Sequence, residues 1–523
     1  MKHKKLSTIL IGVTAFAFLL GGCGSANKTT STGTSAKSDT FIYGLDGDPG
    51  NSVNVITTSD RYGLMEIKAL YSPLYMYNVD KVQYFLADSM TLSADKLTYT
   101  AKLKKNVKWS DGVKFTADDV VFTYNEMLKE KNAGWAYSQL IFNEKPVKVE
   151  KVDDYTVKFT LPEISAPGIE LLGNIFIMPK HVYEGETNFE NSAKNAKPVG
   201  TGPYKLAEYK AGQYVKLVKN DDYFLGAPKI KNVIYRVIPD ANTAKLSLQK
   251  GEINALSVQS SDLKDLTKVG NLTPYTYDEG RIAYMVLNSN SKKLTDINVR
   301  QAIFYALNRT DLINAAFGSD KYAKPAYSFL PNEGKYHSDD VEKYDFNKTK
   351  AKELLAKAGV SGLKLKLGYV GGNVPYQKEA AIIQQELKAV GIDLELVGGE
   401  DAAISQQMKD PKAKDDMFLG GYIMGIDPDT FNSLFTSVSK YNYSHFKDTQ
   451  IDALFNAGRV SKDDTKRKEI YNDIQKKIQA NAYFYPILEN KRIVVMSSKI
   501  DGVKDAALVP VYTFEDMSKL YIK

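Results

Sequence analysis

The sequence predicts a mixed α/β protein built from two or three domains. Helical and strand hydrophobic periods alternate along its length. Some 485 residues follow residue 38, more than a single core usually organises. Two segments also spell out supersecondary units, a strand–helix–strand run at 364–397 and a hairpin leading into a capped helix at 105–124.

In chain order, Lys2, Lys4 and Lys5 precede an apolar run from Leu6 to Leu20, which ends in Leu20-Gly21-Gly22-Cys23. Charge, apolar stretch and small residues in that order predict a secretory signal peptide over 1–22. The run is shorter than the roughly 20 residues a spanning helix needs. Cys23 is the single cysteine of the chain, so an intramolecular disulfide and a cysteine-based zinc site are both excluded. The segment resembles the bacterial lipobox, which implies that Cys23 is lipidated and becomes the mature N-terminus. Residues 24–38 are small and polar and predict a flexible tether, reaching roughly 20 Å from the membrane at random-coil scaling.

At 105–124, Asp111-Gly112 is a tight-turn signal between two strand-like runs, and Thr116 with Asp119 forms a capping-box pattern ahead of Val120, Val121 and Phe122. At 364–397, residues Lys364 to Tyr369 alternate, Pro375 is a helix-opening residue, and Ala380, Ile383, Leu387 and Val390 mark an apolar face. Gly391 then stops the helix, and Ile392, Leu394 and Leu396 alternate again. That unit predicts a right-handed parallel crossover. Tyr284-Met285-Val286-Leu287 and Tyr485-Pro486-Ile487-Leu488 are extended apolar segments suited to paired hinge strands.

Several function classes are disfavoured. The net charge is +7, of which Lys2, Lys4 and Lys5 contribute three, leaving +4 scattered among acidic residues; no basic stripe suggests nucleic acid. No His-Glu-x-x-His, Gly-x-Ser-x-Gly, phosphate-loop or dinucleotide motif is present, and His181, His337 and His445 are far apart in sequence. A binding protein without cofactor is therefore expected in preference to an enzyme.

Trp109-Ser110-Asp111-Gly112 with Phe115-Thr116-Ala117-Asp118-Asp119-Val120 resembles the signature of the family-5 solute-binding proteins, the peptide- and nickel-binding receptors of ABC importers. Further matches follow in the family's order: Gly200-Thr201-Gly202-Pro203-Tyr204, Asp222-Tyr223 with Gly226-Ala227-Pro228, Gly251-Glu252-Ile253-Asn254, Asp296 with Val299-Arg300-Gln301-Ala302, and Asn442-Tyr443-Ser444. The resemblance implies a two-lobed periplasmic-binding-protein-like fold (type II, cluster C) with an extra subdomain in the first lobe. The core of that lobe is expected at 39–85 and 199–284, closed by 488–523, with the subdomain at 86–198 and the second lobe at 285–487. It also implies a monomer on the extracytoplasmic face of the cell membrane, held there by its lipid and handing ligand to permease subunits driven by cytoplasmic ATPases.

The ligand is expected between the lobes, a peptide paired through its backbone as an added strand would be. Gly420-Gly421-Tyr422-Ile423-Met424-Gly425-Ile426-Asp427-Pro428-Asp429 resembles the family's glycine-aromatic strand that faces the ligand. Relatives that take dipeptides carry an aspartate before the proline for the peptide ammonium; Met424-Gly425 stand there in this chain. Asp427 and Asp429 are either substitutes for that anchor or a turn and helix-capping pair. No arginine for the peptide carboxylate occurs at Gly371-Gly372-Asn373-Val374-Pro375-Tyr376, which points to longer peptides held by their backbone. Tyr422, Met424, Gly425, Asn373 and the Asn442-Tyr443-Ser444 turn are the candidate cleft residues. Asp46, in Gly44-Leu45-Asp46-Gly47-Asp48-Pro49, either meets a cation or belongs to a turn. A metal-chelate receptor and a peptide-pheromone sensor are the alternatives on the same fold.

Overall fold

The Asp111-Gly112 turn closes a short hairpin in which Trp109 N–H donates to the Val113 carbonyl (2.8 Å) and Gly112 sits at φ +93. Thr116 then caps the helix Ala117–Met127, and Asp119 completes the capping box. The same Asp119 carboxylate accepts from Trp109 Nε1 (3.3 Å), so the motif locks turn, helix and buried indole together. These features belong to a computed structural model that describes residues 39–50, 53–78, 81–129, 137, 140–142 and 145–523. Cys23 and the leader and tether around it lie outside those residues.

The helix packs on a four-stranded antiparallel sheet ordered Ala87–Leu92, Thr98–Leu103, Thr156–Thr160, Lys148–Asp153. Beside it runs a mixed sheet of eleven strands among the described residues. At one end Thr40–Leu45 lies parallel to both Asn232–Val237 and Ala255–Ser257. At the other, Leu363–Val370 lies parallel to Ile392–Gly399 and to Met417–Tyr422. The helix Val374–Lys388 joins the first two of these, giving the strand–helix–strand unit expected from the sequence, with Gly391 at φ +90 just past it.

Two long antiparallel strands, Leu272–Leu287 and Phe484–Ser497, run through the middle and belong to both ends. Phe484–Ser497 meets Ala255–Ser257 through Val494–Met496, and Leu272–Leu287 meets Met417–Tyr422 through Ile282–Leu287. The ladder slips between Asp278 and Arg281, where Gly280 takes φ +62. Tyr284 faces Pro486 and Met285 faces Tyr485, so the two extended apolar segments pair with each other.

At Ile282–Leu287, Phe484–Leu488 and Ile493–Met496 the strands are covered on both faces, which explains the unbroken apolar runs there. Ala283, Met285 and Leu287 enter one core of the second lobe, while Ile282, Tyr284 and Val286 enter the core on its opposite face. Beyond the slip, Val494 and Met496 join the large core shared by the first lobe and the small sheet, and Ile493 and Val495 join a core behind it. The chain thus forms a two-lobed periplasmic-binding-protein-type fold. Gly200 and Gly202 of the Gly-Thr-Gly motif lie against the backbone of Ala69 and Leu70, where any side-chain carbon would collide.

Candidate functional site

A cavity of about 860 Å³ lies between the lobes. Met76, Tyr77, Glu170 and residues 509–512 line it from the first lobe; residues 423–426, 429–433 and Arg459 line it from the second; Asp278, Glu279, Gly280 and Glu489 close it at the slip in the long strands.

The second-lobe wall begins where the ladder stops. Tyr422 is the last residue of Met417–Tyr422 to pair with Ile282, so Ile423, Met424 and Gly425 run on beyond the sheet. Asp427 then caps the 3-10 helix Pro428–Leu434, accepting from Asp429 N–H at 2.9 Å. Its carboxylate also takes a two-pronged bond from Arg467, Nη1 to Oδ2 at 2.7 Å and Nη2 to Oδ1 at 2.6 Å. Burial works against the Arg467 charge, but Asp427 holds its pKa above the ordinary value. Asp429 is buried and accepts from Arg459 Nε at 2.9 Å. Burial pushes its carboxyl up, and Arg459 pulls it back.

The first-lobe wall is the tip of a hairpin, Leu508–Val509 paired with Thr513–Phe514. Tyr512 N–H donates to the Pro510 carbonyl (2.7 Å), which makes a γ-turn centred on Val511 at φ +65, and Thr513 follows at φ +69. Left-handed backbone at two β-branched residues is strained. The Tyr512 ring stands edge-on to Phe176 at 5.6 Å. At the slip, Glu279 accepts from Arg61 (2.9 Å) and lies 3.8 Å from Arg492. Glu489 accepts from Asn332 N–H (2.9 Å); burial pushes its carboxyl up, with Asp278 and Glu333 adding to the shift.

Of the residues singled out in the sequence, Met424, Gly425 and Asp429 line the cavity and the others do not. Tyr422 turns inward: its ring packs against Tyr284, Phe431 and Phe484, and its hydroxyl donates to the Phe329 carbonyl at 2.5 Å. Asp427 and Asp429 serve the turn and cap, and both carboxylates are already neutralised by arginines, so neither offers a free charge to an ammonium group. Asn373 caps the helix Val374–Lys388 through Tyr376 N–H. Asn442 Nδ2 donates to the carbonyls of Phe435, Thr436 and Phe446, and Ser444 Oγ donates to Asn442 Oδ1. That loop, with Tyr443 packed on its apolar neighbours, holds itself together away from the cavity. Asp46 is exposed and accepts from the Tyr62 hydroxyl at 2.8 Å. Sequence reasoning passed over Glu170, Arg459 and residues 509–512, because each reaches the cavity from far along the chain; Pro510 between alternating apolar residues was the one local hint. Among the described residues no group of three or more His, Cys, Asp or Glu is placed to hold a metal ion. No helix among them is long and apolar enough to cross a membrane.

Comparison with known proteins places this architecture. The oligopeptide-binding protein AppA of Bacillus subtilis is 30% identical over 98% of this chain and 99% of its own. A solved structure of that AppA in complex with a nonapeptide matches with a TM-score of 0.79 at 29% identity, covering 92% of this chain and 99% of that one. The ABC transporter substrate-binding protein CtaP from Listeria monocytogenes matches with a TM-score of 0.89 at 42% identity, over 93% of this chain and 99% of CtaP. The model of the bacterial extracellular solute-binding proteins, family 5, matches residues 81–444. With two lobes, a shared pair of strands and a cavity between them, the chain belongs to family 5 of the bacterial extracellular solute-binding proteins, a family of transport receptors rather than of enzymes.

Proposed function

We propose that this chain is a lipid-anchored receptor that captures oligopeptides in the interlobe cavity and delivers them to the permease of an ABC importer. The observation that carries the reading is the second-lobe wall: the sheet stops at Tyr422 while residues 423–425 continue along the cavity, an edge to which an extended peptide adds by backbone bonding. The cavity falls within the roughly 300–1,000 Å³ range of small-ligand sites, a scale suited to a short peptide. Asp427 and Asp429 being paired with arginines fits recognition that is largely blind to peptide ends. The names of the relatives, AppA above all, support the ligand class. We take the lobes to divide near 278–281 and 489–492, since the apolar cores separate there.

Native mass spectrometry of the mature protein, with released small molecules fragmented and sequenced, tests this reading. A set of mixed-sequence peptides of similar length supports it. One defined peptide points to sensing, and a sugar or metal chelate replaces the ligand class. For the anchor, the Cys23→Ser chain is expected in the medium and the natural chain in the membrane fraction; equal partition of both removes the lipid.

A further inference from the structure

We propose that Glu170 is a positioning residue for ligand capture: carried on the first lobe, it docks on the backbone of the second-lobe wall and holds that wall against the cavity. Its two oxygens each take one N–H across the cleft, Oε1 from Ile426 at 2.6 Å and Oε2 from Asp427 at 2.7 Å. Each oxygen of this one carboxyl group thus has its own backbone partner, which fixes the orientation of the wall as well as its distance. Gly425 belongs to the same contact, because a side-chain carbon there would run into Glu170 Oε1 and Thr430 Cγ2. Asp427, whose N–H donates to Glu170 Oε2, is clamped from behind by Arg467, which ties the wall to its docking point. Close by, Ala166 N–H donates to the Arg459 carbonyl at 2.9 Å, and Lys96 Nζ to the Lys462 carbonyl at 3.2 Å. These bonds join the same two faces, but Glu170 alone of the three side chains and amides also lines the cavity.

The charged and titratable groups facing Glu170 are Asp427 and Arg467 from the second lobe and Tyr77 from the first. Burial pushes its carboxyl up to about 7; the two N–H bonds and Arg467 oppose the shift, and Asp427 adds to it. Opening the lobes returns the group to water and to the ordinary carboxylate range. The closed form therefore binds the proton more tightly, so closure is strongest at acid pH and weakens as pH rises through about 7.

This inference rests on the reading of the cavity as the ligand site, but two arms of its test do not. In the mature chain without ligand, Glu170→Ala and Glu170→Gln are compared with the natural protein by amide hydrogen exchange over residues 423–429 and by small-angle X-ray scattering from pH 6 to 8. Both variants are expected to exchange about tenfold faster there and to scatter as a more open particle. The natural protein opens as pH rises, and Glu170→Gln shows no such profile. Gly425→Ala, which disturbs the same contact from the other lobe and keeps the carboxylate, is expected to open the cleft likewise and stands in should the Glu170 variants not fold. A third arm follows release of a mixed nonapeptide pool, expected about tenfold faster from the variants. Unchanged exchange and scattering in all variants, or one pH profile shared by Glu170→Gln and the natural protein, overturns the role of Glu170. Failure of the natural protein to retain any peptide overturns the ligand reading and leaves the first two arms to decide.

Discussion

On the second-lobe side of the cleft, Asp427 and Asp429 each have an arginine behind them, and the turn they shape is fixed by charge and cap. On the first-lobe side, the wall is a hairpin tip that leans a tyrosine on Phe176 and passes through Val511 and Thr513 in left-handed backbone. The second-lobe wall draws its order from buried ions that tolerate no missing partner; the first-lobe wall stores strain and is held by packing. The cavity therefore has one face that keeps its backbone in place and another that rests on packing alone.

The sharpest way to break the contrast is Arg467→Met, which leaves Asp427 buried and uncompensated. It is expected to lower stability by about 3–5 kcal/mol in chemical denaturation, and the double change with Asp427→Leu to recover part of that loss. Tyr512→Ala on the opposite wall should cost about 2 kcal/mol by the same assay, through lost ring packing, with peptide affinity weakened as well. Val511→Gly relieves the left-handed residue and is expected to raise stability by about 1 kcal/mol, read as a higher melting temperature; a fall would mean that Val511 packing outweighs the strain. Asp46→Asn, exposed and outside both walls, should change stability by less than about 0.5 kcal/mol and leave peptide binding as it was.

What the sequence made legible was local. The capping box at Thr116 and Asp119 and the strand–helix–strand unit around Val374–Lys388 depend on residues within a few positions of one another; the box forms, and the two strands of the unit are parallel. The glycine-aromatic segment was placed at the cleft by resemblance, and Met424 and Gly425 do line it. Tyr422 was read with its neighbours, yet alternation along the strand sends its ring to the core, one register step from the cavity. The fate of Asp427 and Asp429 was open in the sequence because their arginines stand 40 and 30 residues further on, on a different helix or its end. Glu170 was invisible for the same reason, since its partners lie 256 and 257 residues away.

The two long strands that cross from one lobe to the other change register at 278–281 and again at 283–284, and are regularly paired outside that stretch. A hydrogen-bonded ladder resists sliding along its length, because every rung would break at once, but it bends where rungs are missing. The joint is therefore a flexure rather than a bearing: it has one soft direction, set by the sheet. A membrane partner that distinguishes loaded from empty receptor needs only to sense the angle between two rigid plates.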